Sequence, residues 1–341
     1  MAHLRSRRWR LGLGVLVSFW SFLFGFSLRL GRTQPGAAPA CTPAAVSPQR
    51  LQAHVRALSE TLHPRDSEHP ENLERAARYL EASLKGAGGQ VSSEPFEVNG
   101  ERYRNVVARF GPDTPERLVV GAHYDAAAGT PGADDNASGV AALLELAQLL
   151  GARPPALRVD LVAFSLEEPP FFGSEHMGSA LHARRLRAEG VQVRAMLSLE
   201  MLGCFRDERG SQRYPAPGLQ LLYPEAGNFI AVVGKLGQEA LVARLREGMR
   251  AARGIPVESI SAPRSLPGVD LSDHASFWDQ GYPAAMVTDT AFLRNPRYHQ
   301  PDDTWDTLDY ARLAQVVEAL HCALEELSGL PAPSPSGRGR G

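Results

Sequence analysis

Apolar residues recur at helical spacing over Gln49–Ser59 and again over Asn72–Lys85, where the glycine-rich stretch Gly86–Gly89 ends the second run. Ser138–Leu150 is apolar on most faces with Gly151 just beyond it, which predicts a buried helix and its stop. Helical patterns return over Gln238–Arg253 and Leu308–Leu327. Between them lie short apolar runs that read as buried strands: Arg117–Tyr124, Arg158–Phe164, Ala195–Leu199, Phe229–Val233 and Ala284–Val287. Strands alternating with helices predict an α/β fold with a mostly parallel central sheet.

The two ends break this pattern. Arg5, Arg7, Arg8 and Arg10 precede an apolar run from Leu11 to Leu28, which Arg29 closes. A basic start followed by an apolar stretch marks export, and the run just reaches the roughly 18 apolar residues of a spanning helix. Residues 1–30 are therefore expected to be a signal or anchor segment, associating with the membrane through residues 11–28. Ala38-Pro39-Ala40 resembles a cleavage site, so retention and removal both stand open. Residues 31–47, rich in Pro, Ala and Gly, read as a linker, and residues 330–341 as a disordered tail. That leaves one folded unit over 48–329, expected outside the cytoplasm, periplasmic or secreted.

Composition narrows the picture further. The chain is 43% hydrophobic and 22% charged, an ordinary globular balance, and its net charge of −2 leaves no basic footprint for nucleic acid. Cys41, Cys204 and Cys322 show no short paired spacing. That excludes a disulfide framework and a Cys-rich zinc site, and allows at most one internal disulfide.

The chemistry gathers just past the strands. His123 lies at the end of the first, Glu167 and Glu168 follow the second, Glu200 ends the third, and His299 stands in the loop after the fifth. Open α/β sheets bind ligands beyond the carboxyl ends of their strands, so these distant residues are expected to converge on one rim. Asp134-Asp135-Asn136, in the turn Pro131–Gly139, belongs to the same rim. Histidines with several carboxylates form the donor set of a catalytic metal site, and this set suits two metals sharing a bridging carboxylate. Asp125, two residues past His123, is placed to accept its other imidazole N–H. Glu167 and Glu168 sit between apolar Leu161–Phe164 and Pro169-Pro170-Phe171-Phe172. Glu200 lies inside the apolar run Met196–Leu202, where an unpaired charge would be unfavourable. His54, His63, His69, His182 and His321 have no converging partners and read as surface or core residues. Asp273-His274, ahead of Phe277-Trp278, is a candidate for the substrate pocket. No Gly-x-Ser-x-Gly elbow supports a serine nucleophile.

Gly121-Ala122-His123-Tyr124-Asp125 followed by Pro131–Val140 resembles the metal-binding stretch of the two-zinc aminopeptidases of metallopeptidase family twenty-eight. Glu167-Glu168 with Gly173-Ser174, Leu199-Glu200-Met201 and Tyr298–Thr304 follow in family order. The resemblance covers about 118–307 and implies a three-layer α/β/α fold of the zinc-dependent exopeptidase kind. It implies two zinc ions per chain: Asp135 bridging, His123 and Glu200 at one metal, Glu168 and His299 at the other. It further implies Glu167 as general base, Tyr298 as a stabiliser of the tetrahedral oxyanion, and a peptide substrate cut at its amino terminus by a metal-activated water. Pro169-Pro170 departs from the family, which often carries a glycine there. A glutaminyl cyclase-like acyltransferase, a dipeptidase or carboxypeptidase of the same family, and a non-catalytic receptor on the same fold are the alternatives.

Overall fold

A computed structural model describes Cys41 and residues 45–329; the expected anchor at 1–30, most of the 31–47 linker and the tail at 330–341 lie outside them. The described chain forms one eight-stranded sheet. Its strands are β1 (Gln90–Val98), β2 (Glu101–Phe110), β3 (Glu116–His123), β4 (Arg158–Phe164), β5 (Gln192–Glu200), β6 (Ile230–Lys235), β7 (Val257–Ala262) and β8 (Ala284–Thr288). They lie in the order β1-β2-β4-β3-β5-β8-β6-β7. The central four, β4-β3-β5-β8, are parallel, whereas β2 pairs antiparallel with both neighbours and β6 runs antiparallel to β8.

Alternating side chains on the buried strands serve two layers. Leu118, Val120 and Ala122 of β3 face one core, and Val119 faces the other. The first core is covered by α1 (Pro48–Arg56), α2 (Pro70–Gly86), α3 (Gly139–Ala152), α5 (Glu239–Arg250) and α7 (Tyr310–Gly329). The second is covered by α4 (Gly178–Ala188) and α6 (His274–Asp279). This is the expected α/β/α sandwich. Two elements sharpen its construction. Glu145, fully buried in apolar α3, is held by a two-pronged contact from Arg50 of α1 at 2.8 and 2.7 Å, which docks that helix. Gly151 lies inside α3 rather than past its end; a Cβ there would meet the Ala87 carbonyl oxygen at 1.8 Å, so it serves close packing, not a helix stop.

Cys41 and Cys322 form a disulfide that ties the segment ahead of α1 to α7, while Cys204 is free and buried. Among the described residues, no helix is long and apolar enough to cross a membrane. The proposed span at 11–28 lies outside those residues.

Candidate metal centre

From β3 the chain goes on to β4 on one side and from the neighbouring β5 to β6 on the other, so a crevice opens at their carboxyl ends. His123 is the last residue of β3, Glu167 and Glu168 follow β4, and Glu200 is the last of β5. The turn 133–138 brings Asp135 to the same rim just before α3, and the loop after β8 brings His299. Leu166, Met201 and His299 adopt φ of +62°, +48° and +56°. Left-handed backbone at non-glycine residues is held only where the surroundings enforce it, and here it aims the adjacent carboxylates and the second imidazole inward.

The five side chains expected to hold metal converge. His123 Nε2 lies 3.4 Å from Asp135 Oδ1 and 3.4 Å from Glu200 Oε2. His299 Nε2 lies 3.1 Å from Asp135 Oδ2 and 3.2 Å from Glu168 Oε2. The two oxygens of Asp135 therefore face two separate donor pairs. Glu167 Oε2 is 3.9 Å from His123 Nε2. His123 Nε2 and Glu168 Oε1 are buried with no hydrogen-bond partner, as donors left for a cation would be. The residues present thus fit a metal pair by type, burial and placement.

Asp125 is close to His123, but differently than the sequence suggests. Its backbone carbonyl oxygen lies 3.2 Å from His123 Nδ1, nearer than its carboxylate at 3.6 Å. The carboxylate instead accepts the Glu168 N–H at 3.0 Å and so links the two donor segments. The Tyr298 ring stacks on the His299 imidazole, with centroids 3.9 Å apart and planes 18° from parallel. Asp273 and His274, candidates for the substrate pocket, are wholly buried and do not line the groove. His274 Nε2 turns instead to the Val269 carbonyl at 2.8 Å. His182 pairs with Glu94 at 2.8 Å, as befits a core residue.

Several supporting residues escaped the sequence reading. Asp303 accepts the backbone N–H groups of Asp134 and Asp135 at 3.0 and 3.2 Å. Asn136 donates to the Leu199 carbonyl at 2.8 Å and accepts from Met201 N at 3.1 Å, fastening the turn to the end of β5. Ser272 donates to Glu200 Oε2 at 2.7 Å. Arg65, 1% exposed, donates to the carbonyls of Tyr124, Pro131 and Gly132 at 2.9, 3.0 and 2.9 Å. Asp303 and Asn136 belong to the quoted motifs and were legible as candidates. Arg65 had no local signal, because its partners are all backbone atoms remote in sequence.

Crowding of like charge shapes the electrostatics. Burial raises the carboxyls of Glu167, Glu200 and Glu168, the last to about 7 with help from the Asp135 charge. Burial opposes ionisation of Asp135 as well, but the adjacent imidazoles of His123 and His299 outweigh it and hold that carboxyl low. Burial would depress His123, yet the charges of Glu167 and Glu200 hold its imidazole well above the ordinary value. A cluster with four carboxylates around two imidazoles keeps protons that a cation would displace.

The rim opens into a groove that includes Glu167, Glu168, Glu200 and Tyr298 in its wall. From there it extends over Met286 of β8, Ala231 of β6 and Ile260 of β7. An apolar groove with a few convergent polar groups at one end is the usual form of a substrate site.

Fold and site together define a zinc-exopeptidase-like α/β protein. Residues 105–323 match Peptidase family M28, and the chain belongs to that family. It is 44% identical over 287 residues to the uncharacterized protein YfbL of Escherichia coli K12, covering 82% of this chain and 88% of that one. It is 28% identical to a probable leucine aminopeptidase of Trichophyton verrucosum, over 79% of this chain and 70% of the relative. Its fold is similar to that of BSAP, a zinc aminopeptidase from Bacillus subtilis, with TM-score 0.66, 16% identity and coverage of 82% and 94%. A glutaminyl cyclase from Bacteroides thetaiotaomicron is similar too, with TM-score 0.64, 17% identity and coverage of 83% and 99%.

Proposed function

We propose that this chain is a zinc-dependent aminopeptidase that holds two zinc ions and hydrolyses the N-terminal bond of a peptide. The observation that carries this reading is the division of labour at Asp135, whose two oxygens face His123 with Glu200 and His299 with Glu168 at 3.1 to 3.4 Å. Those five residues would hold the metals, Asp135 between them. When bound, such a pair polarises the peptide carbonyl and acidifies a water molecule. Glu167 stands at the groove wall, where burial, together with the charges of Glu200 and Glu168 and against that of His123, raises its carboxyl and favours taking up a proton. It accepts the proton as the carbonyl is attacked and returns it to the leaving amine. Asp125 fixes His123 through its backbone oxygen and Glu168 through its carboxylate. Tyr298, packed flat on His299 and lining the groove, is the candidate for steadying the oxyanion. The carboxylate-rich rim suits the ammonium of a free amino terminus, which restricts cleavage to chain ends.

The Cys41–Cys322 bridge supports an oxidising, extracytoplasmic location. Membrane attachment through residues 11–28 rests on their basic start and apolar run alone.

The test is Glu167→Gln assayed on aminoacyl-nitroanilides. The variant is expected to keep its zinc and lose at least about 10²-fold in kcat. Retained activity would remove Glu167 from this role. Cyclisation of N-terminal glutamine peptides by the wild-type protein, without hydrolysis, would replace the peptidase reading with the acyltransferase one. Preferential cleavage of N-blocked peptides would point to carboxypeptidase action.

A further inference from the structure

The sheet register runs a single row of residues out from the metal centre. Glu200 of β5 stands opposite Thr288 of β8, Thr288 opposite Ala231 of β6, and Ala231 opposite Glu258 of β7. Residues directly opposite one another in a sheet project on the same face. With strands about 4.8 Å apart, Glu258 lies about 14 Å along the row from Glu200. All four residues line the groove, so the row is its floor, with a metal-site carboxylate at one end and a second carboxylate at the other.

Between those ends the surface is mostly apolar, with Ala231, Met286 and Ile260 on the floor and Tyr214 and Tyr223 in the wall. Tyr223 is fixed beside the far carboxylate by donating to the Ser259 carbonyl at 3.0 Å. Glu258 is half-buried, and among the described residues it makes no hydrogen bond or ion pair. Arg246 and Arg250 belong to α5 on the opposite face of the sheet. Arg246 is engaged by Glu247 at 2.8 Å. Burial holds the Glu258 carboxyl above its ordinary value, against the partial pull of those two arginines. Among the described residues, no lysine or arginine lines the groove. A carboxylate left unpaired in an apolar channel is completed by a cation brought in by the ligand.

We propose that Glu258 is a specificity-determining residue that pairs with the cationic end of a lysine or arginine side chain at the N-terminal position of the substrate. The inference rests on the aminopeptidase reading. A stem of about five bonds to the lysine nitrogen, or about six to an arginine terminal nitrogen, carries the charge roughly 6–7 Å from the α-carbon, and a charge-assisted hydrogen bond adds about 2.8 Å. That reach spans most of the row, and the Glu258 side chain covers the remainder. The apolar floor accommodates the stem, as lysine and arginine stems commonly lie along apolar surface.

The experiment compares lysyl-nitroanilide with its uncharged analogue norleucyl-nitroanilide on the zinc-loaded wild-type protein and Glu258→Gln. Glu258→Gln is expected to lower kcat/KM for the lysyl substrate by at least about 10-fold, equivalent to about 1.4 kcal/mol, while norleucyl turnover stays within about twofold. Norleucyl turnover also reports that the variant is folded. A lysyl-to-norleucyl ratio unchanged by the substitution overturns the proposal and leaves the peptidase reading standing. A calorimetric arm measures free L-arginine against L-citrulline. A preference for arginine in the wild type that disappears in Glu258→Gln supports the pairing even if neither nitroanilide is cleaved, an outcome that would sink the aminopeptidase reading alone. Equal binding of the two overturns the pairing.

Discussion

Arg65→Met tests whether the metal centre depends on a cation that touches none of its candidate ligands. Arg65 is buried and reaches the carbonyls of Tyr124, between His123 and Asp125, and of Pro131 and Gly132, in the turn that presents Asp135. It also donates to the Leu58 carbonyl at 2.5 Å, anchoring the wide helical turn Ala57–Thr61 that extends α1. Methionine keeps much of the stem volume and removes every donor. Each buried carbonyl left unsatisfied costs about 1–3 kcal/mol, less what is recovered by relieving the guanidinium of its own burial. That burial is appreciable, since it lowers the Arg65 pKa to about 10 despite the nearby carboxylates of Asp125 and Asp303. A net loss of about 3–5 kcal/mol follows, read from urea unfolding of the zinc-free proteins. Zinc titration separates positioning from charge. Removing a positive charge beside an acidic cluster would by itself tighten cation binding, whereas loosening the turn weakens it. Tighter zinc binding with stability changed by less than about 1 kcal/mol would refute the positioning argument.

Two further perturbations address the scaffold. Gly151→Ala drives a Cβ into the Ala87 carbonyl at 1.8 Å and is expected to destabilise by about 1–3 kcal/mol or more in urea unfolding; an unchanged midpoint would contradict the packing role assigned to this glycine. His274 is fully buried, and burial lowers its pKa from 6.5 to about 4. The unfolded chain therefore binds the extra proton first, and stability present above pH 6.5 is lost as pH falls toward 4, by about 3 kcal/mol. His274→Gln should flatten the slope of stability against pH in that window, and an undiminished slope would show that other groups set it.

The parts of the fold that the sequence made legible are those buried on both faces. Strands such as Arg158–Phe164 have every residue buried and read as apolar runs. Helices α3 and α7 stood out for the same reason. Among the elements missed, β1 and β7 lie at the edges of the sheet. β1, with Pro95 and four exposed residues, and β7, whose four central residues are only half-buried, carry too many polar side chains to show a strand signature. Helix α4, GSALHARRLRA, buries mainly small residues and a histidine paired to Glu94, so its inner face has weak apolar periodicity. β2 was missed as well, and β6, read as Phe229–Val233, carries no local signal that it runs antiparallel to β8. The candidate site was more legible than the sheet around it, because acidic residues stood at the ends of apolar strands, where charge needs a partner. What holds those residues was less so. Arg65 and Ser272 act through contacts whose geometry exists only in the folded chain.

Zinc-edge anomalous diffraction from crystals of the zinc-loaded protein tests the two-metal account most directly. It should give two peaks about 3.5–4 Å apart. One should lie against His123 and Glu200, the other against Glu168 and His299, with Asp135 touching both. A single peak at this rim, or zinc held instead by the buried group of Asp134, Cys204 and Asp289, would contradict it.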